Sequence, residues 1–289
     1  MDQPAPTETG LAGLRVASFE ARMAGSMADL IRKSGGEAVE APALREVPIG
    51  DNPEALAFAD RLVAGGFDLV IFLTGVGTRY LAQEIETKYP RDEWVAALRR
   101  ARVAIRGPKP LAPLRELGAR VDLQAPEPNT WRELLAALDA KIPVAGLRVA
   151  VQEYGKPGPE LIEGLEQRGA TVTRVPVYRW SLPDDVEPLR RAIGEIVAGR
   201  VDAVAFTAAQ QVAHLLEVAA AEGREDGLRA ALARSVIVAS VGPTTTEAIK
   251  AHGLPVDIEP EHPKMGHLVL ALSGRWREVR RSKEAGRDD

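Results

Sequence analysis

The stretch Ala12-Gly13-Leu14-Arg15-Val16-Ala17 returns as Ala145-Gly146-Leu147-Arg148-Val149-Ala150, displaced by 133 residues. One repeated hexapeptide carries little weight, but the displacement holds along the chain. Gly36, in Ser-Gly-Gly-Glu-Ala-Val, falls on Gly169, in Arg-Gly-Ala-Thr-Val. Phe67–Phe72 falls, one residue later, on Val201–Phe206, both with an aspartate at the second position. Gly118 ahead of Val121-Asp122 falls on Gly253 ahead of Val256-Asp257, and Ala137-Leu138 returns as Ala271-Leu272. Punctuation repeated at near-constant spacing over the whole length identifies an internal duplication.

Each copy alternates short apolar runs with helical patterns. The runs Leu14–Ser18, Leu69–Leu73, Val103–Ile105, Leu147–Val151, Val201–Phe206 and Val236–Val241 read as strands buried on both faces. Between them, Met27–Lys33, Glu160–Arg168, Gln211–Ala221 and Glu247–Ala251 read as helices, several closed by glycine. Alternating β and α elements make parallel sheets covered on both faces. The expected architecture is therefore α/β, with two similar parallel-sheet lobes and a functional cleft between them. In such sheets ligands bind beyond the carboxyl ends of the strands, so the informative residues are those just after the apolar runs. Residues 1–10 and the charged stretch 277–289 read as frayed tails.

Composition narrows the chemistry. The 289 residues are 45% apolar and 27% charged, a globular balance. With 37 basic and 41 acidic side chains the net charge is −4, against a broad nucleic-acid face. There is no cysteine, which removes disulfides, thiolate catalysis and cysteine metal sites. The start of the chain lacks a basic region with an apolar core, and no run of about 20 apolar residues occurs, so a cytoplasmic monomer without membrane contact is expected. His214, His252, His262 and His267 are spaced unlike a metal set, the last two lacking a nearby partner, so no metal is expected.

Five segments carry candidate groups. The turn Thr74-Gly75-Val76-Gly77 contains Gly-x-Gly but lacks a third glycine and follows a later strand, so no dinucleotide cofactor is expected. It reads either as a tight strand-to-helix turn or as an anion-binding nest of amides. Thr207, after Val201–Phe206, reads as the cap of the next helix. In Gly242-Pro243-Thr244-Thr245-Thr246-Glu247, Thr244 and Glu247 fit a capping box, yet three hydroxyls exceed what a cap needs. Tyr154 ends the run Leu147–Val151 ahead of a glycine- and proline-rich loop whose Pro159 fits a first helical position. Tyr178 ends Val175-Pro176-Val177, whose counterpart in the first copy is Ala41-Pro42-Ala43-Leu44. Either ring also fits simple packing.

Three segments in order resemble the uroporphyrinogen-III synthase family. They are Val238–Thr245, an apolar strand running into Gly-Pro-Thr-Thr; Ala251-His252-Gly253-Leu254-Pro255-Val256; and Gly169-Ala170-Thr171-Val172 through Tyr178. The resemblance covers about Leu14 to Leu272. It implies cofactor-free cyclisation of the linear tetrapyrrole hydroxymethylbilane, with inversion of one ring. It also implies a two-stranded ladder near Pro42–Arg45 and Pro176–Arg179, so that lobe A comprises residues 1–43 with 180–276 and lobe B residues 47–174. The duplication alone suggests instead a break near residue 140. The family's tyrosine falls on Tyr178, its threonine pair on Thr244-Thr245, and Arg22 fits the arginine after the first strand. Where the family reads Thr-Ser in two turns, this chain has Thr74-Gly75 and Thr207-Ala208, and where it carries Gly-x-x-Thr this chain has Gly107-Pro108-Lys109-Pro110, with Lys109 offering a charge in place of the lost hydroxyl. Those departures leave a non-catalytic ligand-binding module of the same family as the alternative. On either reading the ligand is expected to be gripped chiefly by backbone N–H groups after Thr74, Thr207 and Pro243.

Overall fold

The computed structural model describes residues 10–153, 155 and 158–285. From the first described residue the elements are β1 (Arg15–Ser18), α1 (Ala24–Lys33), β2 (Glu37–Glu40), β3 (Arg45–Pro48), α2 (Pro53–Val63) and β4 (Leu69–Phe72). There follow α3 (Gly75–Glu86), α4 (Arg91–Leu98), β5 (Arg102–Ile105), α5 (Leu111–Glu116), β6 (Leu123–Gln124) and α6 (Trp131–Lys141). The later elements are β7 (Arg148–Gln152), α7 (Pro159–Glu166), β8 (Thr171–Val175), β9 (Tyr178–Ser181), α8 (Glu187–Val197) and β10 (Ala203–Phe206). Last come α9 (Ala209–Ala221), α10 (Glu225–Arg234), β11 (Ile237–Ser240), α11 (Pro243–Ala251) and α12 (Met265–Ala285).

Contacts divide the chain into two compact units. One contains the chain up to Arg45 and from Ser181 onward; the other is Glu46–Trp180. The first unit holds a parallel sheet in the order β11-β10-β1-β2, and the second a parallel sheet in the order β6-β5-β4-β7-β8. β3 and β9 form a two-stranded antiparallel ladder, extended by a bond from the Ile49 amide to the Val177 carbonyl. The α/β class, the parallel sheets and the ladder agree with the sequence reading.

The duplication is visible atom by atom. Gly13 and Gly146, at φ +78° and +75°, donate to the carbonyls of Gly35 and Gly169, themselves both at φ +82°. Only glycine takes that backbone without strain. The counterpart of Gly169 is thus Gly35, not Gly36, because the segment between these glycines is one residue longer in the second copy. Val103 and Val238 donate to Asp122 and Asp257, and Ala104↔Leu123 is matched by the bridge Ala239↔Ile258. Yet β1 pairs with β10, and β7 with β4. Each sheet therefore combines the leading strands of one copy with the following strands of the other, and neither unit coincides with a sequence repeat.

The all-apolar strands are explained by cover on both faces. In β4, Val70 and Phe72 join one cluster while Leu69 and Ile71 join another. In β10, Val204 and Phe206 lie with helices α8 and α9, and Ala203 and Ala205 lie with α1 and α12. Successive side chains point to opposite faces, so a strand buried on both sides has no place for a polar residue.

The stretch 277–289 is not a frayed tail as far as Ala285, because α12 runs through it; residues 286–289, like 1–9, lie outside the described residues. The charges here have remote partners. Trp276 donates to the Gly10 carbonyl, and Arg277 and Arg280 cover its ring. Arg280 reaches Asp202 at 2.5 Å and Lys283 reaches Asp257 at 2.9 Å. Gly274 sits mid-helix with open space where a Cβ would go. Gly274→Ala is expected to raise stability by about 0.5–1 kcal/mol, since glycine is a poor interior helix residue. An unchanged or lowered urea midpoint would contradict that.

Asp68 lies before β4 and receives the Arg148 side chain through Nε and Nη2 and its backbone N–H. The Arg148 guanidinium, helped by that N–H and opposed by partial burial, holds the Asp68 carboxyl at about 2. In the unfolded chain it titrates near 3.8, so the pair's contribution is complete above that value and is lost as pH falls towards 2. Both side chains are partly exposed, which keeps the contribution below about 1 kcal/mol. The difference in urea midpoint between Asp68→Asn and the parent is expected to shrink between pH 4 and pH 2. A difference that ignores pH across that window would remove Asp68 as the acid-sensitive group.

Candidate functional site

In each unit the candidate groups stand on loops at the carboxyl ends of the parallel strands. In the unit Glu46–Trp180, Thr74 caps α3, its Oγ1 accepting from the Gly77 amide at 3.0 Å. The same oxygen lies 3.4 Å from the Tyr178 hydroxyl, and the Tyr178 ring packs on Tyr80 with centroids 5.9 Å apart. Tyr178 is buried within the apolar cluster beneath α3, so its ring is fixed and its hydroxyl faces the turn. Gln152, closing β7, organises the turn, its Oε1 accepting from the amides of Leu73 and Thr74 at 3.3 Å each.

Packing in this turn leaves no room for a side chain at Gly75 or Gly77. A Cβ on Gly75 would lie 2.4 Å from the Lys109 carbonyl oxygen, and one on Gly77 2.1 Å from Gln152 Nε2. Lys109 itself is exposed beside the turn. Thr74, Gly75, Lys109 and Tyr178 are thus brought to one place. Tyr154 lies outside the described residues.

In the other unit, Glu20 joins two strand-end loops. Its carboxylate accepts from Thr207 Oγ1 at 2.5 Å and from the Met23 amide at 3.1 Å. Thr207 is not the helix cap: α9 begins one residue later, with Ala208 at the cap position. Gln211 folds back instead, its Oε1 accepting from the amides of Thr207 and Ala208 and its Nε2 donating to Thr207 Oγ1. Arg22 is exposed in the turn before α1. The capping box at Thr244 and Glu247 is absent too. Pro243 takes the first helical position, so the cap falls on Gly242 and Thr244 is the second residue of α11. Gly242 is packed by Pro263, where its Cβ would come within 2.7 Å. Thr245 is buried, Thr244 is exposed, and Thr246 donates to Glu259.

Of the amides after Thr74, Thr207 and Pro243, that of Ala208 is already taken by Gln211. The amides of Thr74 and Thr207 themselves are held by Gln152 and Gln211. What the described residues leave without a protein acceptor are the first-turn amides of Gly75 and Val76, of Ala209 and Gln210, and of Thr244. Each set lies at the positive end of a helix and suits a carboxylate. Glu20, Tyr80, Gln152 and Gln211 were missed. Gln211 alone had a local signal, a glutamine three residues after the cap position. His262 and His267 do have partners, since their rings meet edge-on at 5.2 Å. Among the described residues no group of three or more His, Asp or Glu side chains forms a metal cluster.

Residues 25–270 match the family model of uroporphyrinogen-III synthase HemD. The chain is 32% identical over 272 residues to the uncharacterized protein YjjA of Bacillus subtilis (strain 168), covering 93% of this chain and 98% of that one. Its structure is similar to a substituted form of uroporphyrinogen III synthase from the extremely thermophilic bacterium Thermus thermophilus, at 28% identity and a TM-score of 0.67, covering 92% of this chain and all of that one. Uroporphyrinogen-III synthetase from Helicobacter pylori 26695, at 15% identity and a TM-score of 0.51, shares the fold over 91% of this chain.

Proposed function

The chain belongs to the uroporphyrinogen-III synthase family, and on that premise we propose that it closes hydroxymethylbilane to uroporphyrinogen III without a cofactor. The terminal hydroxyl departs as water, leaving an azafulvene cation. The far pyrrole attacks through its substituted carbon, the spiro intermediate fragments, and reclosure inverts that ring. Tyr178 donates the proton to the departing hydroxyl, and Thr74 orients the phenol. Within the unit Glu46–Trp180 the free first-turn amides of α3 and the Lys109 ammonium suit substrate carboxylates; within the other unit the first-turn amides of α9 and α11, the exposed Thr244 hydroxyl and Arg22 do the same. Catalysis is then orientation of a flexible chain together with general-acid assistance.

The observation that supports this most is the fixed Tyr178 hydroxyl beside Thr74 at the mouth of a helix with free amides. A second reading, a ligand-binding member without turnover, is favoured by the amides already taken by Gln152 and Gln211 and by the tight packing at Gly75. Incubating the purified protein with fresh hydroxymethylbilane and resolving the oxidised isomers separates the two. Type III product faster than the spontaneous reaction is expected. Type I alone, at the spontaneous rate, ends the synthase reading and leaves the second.

A further inference from the structure

At the opposite, amino-terminal edge of the sheet that contains β1 and β10, the surface holds a concavity of about 420 Å³. Pockets that hold small molecules start at about this size. Three arginines from different segments line it: Arg191 on α8, Arg200 between α8 and β10, and Arg224 at the cap of α10. None has a side-chain hydrogen bond or ion pair among the described residues. The carboxylate in the lining, Glu195, is already engaged by Arg15 at 2.9 Å. Val197, 40% exposed, and Ala198 supply an apolar wall. Gly194 keeps the floor open, since a Cβ there would lie 3.0 Å from Arg224 Nη1.

A basic residue beside the last turn of α8 is favourable in itself and accounts for Arg200. It does not account for Arg191 or for Arg224, which comes from another helix. On a protein of net charge −4, three exposed guanidiniums from different segments meet at one concavity whose carboxylate is already engaged, and together they suit an anion. A carboxylate is satisfied by one guanidinium fork, whereas three forks match a group with more oxygens. We propose that this concavity binds the phosphate chain of a small molecule, at a site separate from the strand-end loops of the same unit that carry Arg22 and Thr244.

The test is calorimetric titration of the full chain with inorganic triphosphate at low salt. One saturable site is expected, weakened at least tenfold by Arg200→Gln and by Arg224→Gln, and abolished by Val197→Glu, which puts a carboxylate on the wall. Arg102→Gln, which replaces an exposed arginine at the start of β5 in the other unit, should leave it unchanged. ATP in place of triphosphate tells the source: equal affinity assigns the whole ligand to the phosphates, and tighter binding gives the apolar wall to an attached organic group. Absence of saturable binding, or binding indifferent to all three concavity substitutions in variants that melt like the parent, overturns the proposal.

Discussion

Tyr178→Phe is expected to slow formation of the type III isomer by on the order of 10²–10⁴-fold, the usual worth of a positioned general acid. The ring stays where it is, because it is buried against the cluster beneath α3 and against Tyr80, and phenylalanine fills the same space. What is lost is the hydroxyl 3.4 Å from Thr74 Oγ1. Turnover should therefore fall while the melting temperature and the Michaelis constant change little. The spontaneous reaction sets a floor, since the bilane loses hydroxide unaided, and type I product should rise as type III falls. Tyr154→Phe is the companion experiment. If it slows the enzyme and Tyr178→Phe does not, the donor is Tyr154. If neither does, acid assistance is absent and orientation carries the catalysis.

Gly77→Ala is expected to cost about 2–5 kcal/mol of stability. The added Cβ would lie 2.1 Å from Gln152 Nε2 and 2.6 Å from its Cδ, so the amide of Gln152, which is 1% exposed, must shift. Displacing it strips the shared acceptor from the amides of Leu73 and Thr74. Each inward-facing donor left unpaired costs about 1–3 kcal/mol. Gln152→Ala removes the same acceptor, so the double variant should be no worse than the more damaging single one, a clear failure of additivity. Urea denaturation of the three variants decides it. Additive losses, or a Gly77→Ala protein as stable as the parent, would show that the turn does not depend on this contact.

The strands were legible because burial on both faces leaves an unbroken apolar run, as in Leu69–Phe72 and Ala203–Phe206. The repeat was legible because Gly13, Gly146 and Gly169 occupy backbone positions closed to other residues. Long-range pairing was not. Nothing near Trp276, Arg280 or Lys283 announces Gly10, Asp202 or Asp257 as partners, so an anchored helix read as a solvated charge run. The same limit applied to the candidate site. Thr74, Gly75 and Tyr178 could be named from their place after strands, but Gln152 and Glu20 act on turns remote in sequence. At Thr244 the local rule was outcompeted: Pro243, preset for the first helical position, moved the helix start ahead of the expected cap.

The exchange of leading strands has a consequence for how the polypeptide leaves the ribosome. Residues 46–180 form one unit contiguous in sequence, so its five strands can assemble as soon as it emerges. β1 and β2 are made earlier yet β1 pairs with β10, which emerges only after that whole unit has been synthesised. At about 5–20 residues per second, β1 waits on the order of ten seconds with an unsatisfied edge. A nascent β1 edge can pair with β4, which takes β7 in the finished protein, because the two copies are alike in sequence. Chains stalled between residues 180 and 200 are thus the ones most exposed to mispairing, and the ones a ribosome-associated chaperone would be expected to hold.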